Sequence, residues 1–433
     1  MQPAAYFLTE ALMNRSLLIL VLTATLGAAT PIGQQSGPSP DERAALRGAD
    51  RPLVGLPDRP QVLTDSGGQP FRIVPITGLN RPWALAFLPN GDMLVTEIEG
   101  RLRIIRKGLL DPQPIAGLPE INTRVWRAGL MDVAVHPRYT ENRFIYFVYS
   151  KTAPANPDDS AGKQPVAVSL TLARARFDGG NALTDVKDLF VSNTRCVGAC
   201  GSRIVFARDG TIIMSVGKPS GNEPQDPAVH GGKILRLNDD GTIPKDNPIV
   251  GVAGYRPEIY ALGIRNAIGL FVHPQTGDIW ETENGPMGGD EINIIRAGRN
   301  YGWPVISYGA DYSGRPVRKG DRKREGMEEP FYYWHPSPAV AGITIYTGDK
   351  FPAWKGNIFV GTLGSGQHLG ARQLHRIVLS RDGLLQRGGN WTLLYELKRR
   401  IRDVKQGPDG LLYVTVDALD GAVLRIEPVG TPN

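Results

Sequence analysis

Trp83-Ala84-Leu85-Ala86-Phe87-Leu88-Pro89-Asn90-Gly91-Asp92-Met93-Leu94-Val95-Thr96 decides the fold of this chain. It reads as an apolar strand, a turn of strand-breaking residues and a second, apolar strand. The phrase returns at Leu130–Val135 with Phe144–Tyr149, at Ile204–Val216, at Ile268–Trp280, from Ile343 through Phe351 to Gly361, and at Val404–Val416. Six copies at intervals of roughly 45 to 75 residues match a propeller period, each copy forming half a blade. Segments between them, such as Gly232–Leu237 and Ala422–Ile426, supply outer strands. No helical period of comparable length competes with this alternation. The expected fold is therefore all-β, a six-bladed β-propeller over residues 70–428, whose radial repetition leaves only short protected edges. In such a fold the loops of one face converge on the axis, so residues far apart in sequence can line one pocket.

Composition agrees. Gly 52 and Pro 35 are both high and are dispersed between apolar runs, as many short strands joined by tight turns require. The formal charge of +6, from 49 basic and 43 acidic residues, is spread thinly. With no Lys/Arg-rich block interleaved with aromatics, nucleic acid is not an expected partner. The mild excess suits solubility or attraction for small acidic ligands.

The N-terminus carries an address. Met13-Asn14-Arg15, the apolar run Leu17–Leu26 and Gly27-Ala28-Ala29 form a secretory signal within residues 1–29. A membrane anchor is the alternative, although the run falls short of the ~20 residues of a spanning helix. Residues 30–69, rich in Pro, Gly, Ser and charges, read as a disordered linker, and 429–433 as a tail. The mature chain is expected to be periplasmic or secreted, with no membrane span. Its two cysteines, Cys196 and Cys200, are expected to pair in an oxidising compartment. A redox pair or metal site is the alternative, with no further Cys or clustered His to support it.

After the strand of the fourth copy comes Glu283-Asn284-Gly285-Pro286-Met287-Gly288-Gly289-Asp290-Glu291, and then Tyr301-Gly302-Trp303-Pro304. Alone this is either a solvated turn or a site for a hard cation, since Ca²⁺ takes several oxygen ligands and a Gly-Pro turn presents carbonyls. Placed beside a propeller axis, the second reading gains weight.

Taken together, Trp83–Phe87, Gly129-Leu130-Met131-Asp132-Val133, Gly232–Leu237, Leu262-Gly263-Ile264-Arg265-Asn266, the Glu283–Pro304 stretch and Arg400-Ile401-Arg402-Asp403 resemble the soluble quinoprotein glucose/sorbosone dehydrogenases, the PQQ-dependent aldose sugar dehydrogenases. The likeness covers roughly residues 70–428 and rests on several motifs in one order. It implies a six-bladed propeller that binds pyrroloquinoline quinone (PQQ) and Ca²⁺ on its axis and oxidises the anomeric carbon of aldoses to lactones. That chemistry needs a cation polarising the quinone oxygens, guanidinium partners for the cofactor carboxylates and a base for the sugar hydroxyl proton. The resemblance assigns the Gly285 and Pro286 carbonyls to Ca²⁺, and Arg265, as the catalytic residue, with Asn266 to the quinone oxygens. It assigns Arg400 and Arg402 to the cofactor carboxylates, Glu291 and Tyr301 to a further structural Ca²⁺, and Trp334 to the lining of the sugar site.

The base is where this chain departs. The resemblance places a His four residues before Arg203, and the residue there is Ala199. An Asp is replaced by Lys218, a Gln by the Arg127-Ala128 context, and a cofactor-binding Lys by Gly364. His230 and His368 are candidate substitutes for the base, while His136 and His273, in His-Pro turns, are expected to be structural. Two functions follow: a PQQ- and Ca²⁺-dependent sugar dehydrogenase, or a propeller of the same origin that binds sugar or cofactor without turnover or with altered chemistry. A hydrolase propeller finds no nucleophile–base–acid set. The electron acceptor is not readable from sequence.

Overall fold

The computed structural model describes residues 54–154, 166–218, 221–364, 371–380, 383 and 385–430, all within one compact unit, Ser36–Asn433. The expected signal, residues 30–53 of the expected linker, the last three residues and His368 lie outside the described residues.

Six antiparallel sheets follow one another along the chain. Blade 1 holds Pro82–Phe87, Met93–Glu97, Arg101–Arg106 and Leu109–Leu110; blade 2, Leu130–Val135, Phe144–Thr152, Val168–Arg176 and Thr184–Val191; blade 3, Ile204–Phe206, Ile212–Val216, Lys233–Leu237 and Ile259–Leu262. Blade 4 holds Ala267–Val272, Ile279–Glu283, Asp290–Ile295 and Tyr332–Trp334, and blade 5 Val340–Ile345, Ile358–Thr362, Leu374–Leu379 and Leu385–Leu393. Blade 6 combines Ile401–Gln406, Leu412–Val416 and Gly421–Pro428 with two strands from the other end of the chain, Pro70–Leu79 and Gln61–Thr64. Each copy of the repeated phrase is the inner strand pair of one blade. The second strands are buried along their whole length in blades 1, 3, 4, 5 and 6, because a neighbouring blade covers each face.

The ring closes where Pro70–Leu79 pairs with Gly421–Pro428, Ile73 opposite Ile426. Gln61–Thr64 lies in the stretch expected to be a disordered linker, yet it adds an edge strand to this blade. Its anchorage is polar: the Asp65 carboxylate accepts from the Gly67 and Gln69 amides and pairs with Arg376, and Gln69 accepts from the Trp354 indole. A composition that reads as disorder is used here for turn capping.

Among the inner strands a buried cation bridges several blades. Arg203, fully buried, donates to the Ile268 and Arg402 carbonyls and lies 3.4 Å from Asp132 and 3.3 Å from Asp403. These two acids also take backbone amides, Ile204 to Asp132 and Leu85 to Asp403. One guanidinium thus ties blades 2, 3, 4 and 6 together. Gly342 lets this happen in blade 5, since a Cβ there would lie 2.3 Å from an Asp403 carboxylate oxygen.

Candidate functional site

Antiparallel order brings two sets of connections to one face: those from the outer strand of each blade to the inner strand of the next, and those joining second and third strands. Arg265 and Asn266 sit in the connection from blade 3 to blade 4, and Asn284–Gly289 in the second-to-third-strand turn of blade 4. The Arg265 backbone amide donates to the Glu283 carboxylate, and its guanidinium donates to the Asn284 carbonyl at 2.6 Å and to the Tyr312 hydroxyl at 3.3 Å. The Trp303 and Tyr312 rings lie 5.2 and 6.0 Å from the same guanidinium. The turn is held from outside: Met287 exchanges both backbone hydrogen bonds with Ala310, Gly289 donates to the Trp334 carbonyl and Gly285 to Asp290. Among the described residues no donor reaches the Gly285 or Pro286 carbonyls. Both residues are half-buried and directly follow Asn284, and backbone carbonyls are the kind of ligand a hard cation takes.

Behind the turn lies a buried acidic group. Glu281, Glu283 and Glu291 surround the Asn293 side-chain amide, at 3.1, 3.4 and 3.5 Å. Burial raises all three carboxyls, Glu283 to about 7, and mutual repulsion raises Glu281 and Glu291 further. Burial likewise brings Asp290 to about 6. A cavity of about 10 Å³, lined in part by Arg265, Glu283, Gly285, Glu291 and Tyr301, has room for one small species. Among the described residues no three His, Cys, Asp or Glu groups form a ready metal cage. The Tyr301 hydroxyl donates to the Ile294 carbonyl and accepts from the Arg296 amide, so the phenol is committed to the sheet.

Across the axis, four guanidiniums meet the buried carboxylate of Asp417. Arg400 and Arg402 hydrogen-bond to it, and Arg81 and Arg127 lie 3.7 Å away. Burial alone would raise Asp417, but the arginines outweigh it and hold the carboxyl well below the ordinary range. Arg402 lies 4.0 Å over the Trp83 ring. Arg400 and Arg402, assigned by the resemblance to the cofactor carboxylates, are both held on Asp417. Asp417 and Arg81 were not foreseen; the available signal was an acid directly after the strand of the sixth copy.

The connection from blade 2 to blade 3 contains Ala199 inside the Cys196–Cys200 disulfide. The Gly201 amide donates to the Asn266 side chain at 2.8 Å, so Asn266 is fixed by this loop. Gly217 permits that approach, because a Cβ on it would fall 2.2 Å from Asn266 Oδ1. Gly217→Ala is expected to lower stability by about 1–3 kcal/mol through overpacking and to displace Asn266, measured by chemical denaturation alongside cofactor titration. Lys218 donates to the Arg195 carbonyl and pairs with Glu223.

Two expectations need correction. Trp334 does not line an open site. It is 7% exposed and packs edge-on to Tyr332 and His375 in the core between blades 4 and 5, while its neighbour Tyr333 faces out and stacks on Tyr308. His230 cannot serve as a base, because it is buried with one ring nitrogen on the Asn193 amide and the other on Glu258. His136 and His273 cap their own turns, as expected.

The glucose/sorbosone dehydrogenase family model matches residues 79–425. The chain belongs to the glucose/sorbosone dehydrogenase family. It is 38% identical over 360 residues to the aldose sugar dehydrogenase YliI of Escherichia coli (strain K12), covering 81% of this chain and 91% of that one. It is 30% identical over 261 residues to quinoprotein glucose dehydrogenase B of Acinetobacter calcoaceticus, covering 55% and 53%. The structure of the apo-form soluble aldose sugar dehydrogenase from Escherichia coli superposes with a TM-score of 0.73 at 35% identity, covering 86% of this chain and 99% of that one. The family is one of sugar dehydrogenases, oxidoreductases of the quinoprotein type with a propeller fold.

Proposed function

We propose that this family member is an exported, PQQ- and calcium-dependent dehydrogenase that oxidises an aldose to its lactone. The observation that carries the reading is the pair of Gly285 and Pro286 carbonyls, which accept no hydrogen bond among the described residues and directly follow Asn284, whose own carbonyl is held by the Arg265 guanidinium. When bound, PQQ with Ca²⁺ supplies an electrophilic ortho-quinone that accepts hydride. In this reading the carbonyls of Gly285 and Pro286 hold the cation. Arg265, positioned by Asn284, stabilises the negative charge that develops on the quinone oxygens, and Asn266, pinned by Gly201, orients the same edge. Arg400 and Arg402, preset on Asp417, bind the cofactor carboxylates. A structural Ca²⁺ would meet Glu291 through its carboxylate and Tyr301 through its main-chain carbonyl, since the phenol is engaged elsewhere. Export is supported by the disulfide and by the signal read from the sequence. No helix among the described residues is long and apolar enough to cross a membrane.

A second reading, a propeller that binds cofactor or sugar without turnover, is favoured by one feature: the position aligned with the family's base is Ala199, whose methyl accepts no proton. Reconstitution separates the two. Purified protein given PQQ and Ca²⁺ is expected to show bleaching of the quinone absorbance on addition of aldoses and to reduce an artificial dye. Confirmed cofactor binding with no bleaching by any aldose would select the second reading. In that case Ala199→His is expected to create dye reduction.

A further inference from the structure

Arg81 and Arg127 have no part in the reading above, yet both stand at Asp417. Three successive connections, from blades 5 to 6, 6 to 1 and 1 to 2, deliver Arg400, Arg81 and Arg127, while Arg402 comes from the inner strand of blade 6. The basic residues therefore occupy one half of the face, and Arg265 with the Gly285–Pro286 turn occupies the other. Crowding of like charge is visible in the group: burial first, and then repulsion from Arg400 and Arg127, lowers Arg402 to about 9. The backbone carries a cost as well, since Arg81 (φ 48°) and Arg127 (φ 63°) are both left-handed. Such a conformation is disfavoured in non-glycine residues and gathers at ligand sites.

Arg400 and Arg402 hydrogen-bond to Asp417, and Arg81 and Arg127 add ion pairs to it at 3.7 Å, so four guanidiniums surround a single buried carboxylate. A planar guanidinium binds a carboxylate in fork geometry, and several from different directions select a ligand with several carboxylates. Two indoles flank the group, Trp83 under Arg402 and Trp126 under Arg127 at 5.5 Å.

We infer that Arg81 and Arg127 complete, with Arg400 and Arg402, a four-guanidinium collar that binds a planar polycarboxylate. The inference rests on the PQQ reading for the identity of that ligand, not for the collar. It also accounts for Gly364, where the resemblance expects a cofactor-binding Lys. Gly364 adjoins Leu363, whose carbonyl accepts from Arg400, so the collar stands beside the missing charge.

The test is equilibrium binding of PQQ to the apo-protein with Ca²⁺ present, followed by tryptophan fluorescence over a range of salt concentrations. Arg81→Gln and Arg127→Gln are each expected to weaken PQQ by about tenfold or more, as loss of a charged hydrogen bond does, and to flatten the salt dependence. Arg127→Lys is expected to recover part of the loss. PQQ trimethyl ester, which lacks the charges, is expected to bind native protein far more weakly than PQQ, and this comparison needs no variant to fold. Equal binding of PQQ and its ester by native protein would overturn the collar, as would variants that keep native affinity and salt slope. If native protein takes benzene-1,3,5-tricarboxylate through Arg81 and Arg127 but not PQQ, the collar stands and the cofactor reading falls. If it takes neither, both fall.

Discussion

Arg265→Gln is expected to lower kcat of the PQQ- and Ca²⁺-loaded protein by about a hundredfold to a thousandfold, the usual cost of removing one preorganised donor from a site of developing charge. The geometry that makes the effect large is already present in the protein alone. Arg265 is 4% exposed, donates to the Asn284 carbonyl one residue before the proposed calcium carbonyls, and is held between the Trp303 and Tyr312 rings. A side chain fixed in this way loses little entropy when its target gains charge. Glutamine keeps a donor but loses the charge, the fork and the contact with the rings. Arg265→Lys keeps only the charge and is expected to fall between the two. The measurement is single-turnover bleaching of the quinone at saturating aldose, with PQQ affinity measured separately. A variant with native kcat and weaker PQQ would make Arg265 a holding residue only. Arg296→Gln, which removes an exposed ion pair with Asp278, is the control and should leave the rate unchanged.

How much of this was legible in the sequence depended on the range of the interaction. The blades were readable because each copy of the phrase folds on itself: strand, turn and strand are neighbours in sequence, and burial on both faces makes the apolar runs dense. Ring closure was harder to see, because Pro70–Leu79 pairs with a partner at the other end of the chain. The same limit hid the collar. Arg81 and Asp417 meet only because the ring closes, and nothing local to either residue announces the other. Trp334 lies in the core, away from its expected place, for a different reason. An aromatic run such as Tyr332-Tyr333-Trp334 must alternate across its strand, and the sequence did not say which face looks outward. His230 precedes two glycines, a setting that suggests access, but the Asn193 amide and Glu258 occupy both ring nitrogens. Short-range pattern revealed the scaffold, whereas the site is made of contacts between blades.

Arg203 shows the same division, and replacing it tests the scaffold independently of any cofactor. Arg203→Met is expected to destabilise the protein by about 3–5 kcal/mol, the cost of leaving buried partners of an ion pair uncompensated. Arg203 is 1% exposed and stands between Asp132 of blade 2 and Asp403 of blade 6, while its remaining donors reach the Ile268 and Arg402 carbonyls. Methionine fills much of the volume but neutralises neither carboxylate. The pH dependence follows from Asp132, whose pKa burial already raises and Arg203 partly lowers. A folded pKa above the unfolded one means that the folded state holds more protons between the two, so stability falls as pH rises through that window. Removing Arg203 raises the folded value further and widens the window. The deficit of Arg203→Met should therefore be largest near neutral pH and shrink on acidification, as Asp132 becomes protonated. Urea denaturation at a series of pH values reads this directly. Adding Asp132→Asn to the Arg203 variant should recover part of the lost stability at neutral pH, because the amide removes one buried charge while keeping an acceptor for the Ile204 amide. If the double variant is no more stable than Arg203→Met alone, and the deficit is the same at acid and neutral pH, the axial contact contributes by packing and not by charge.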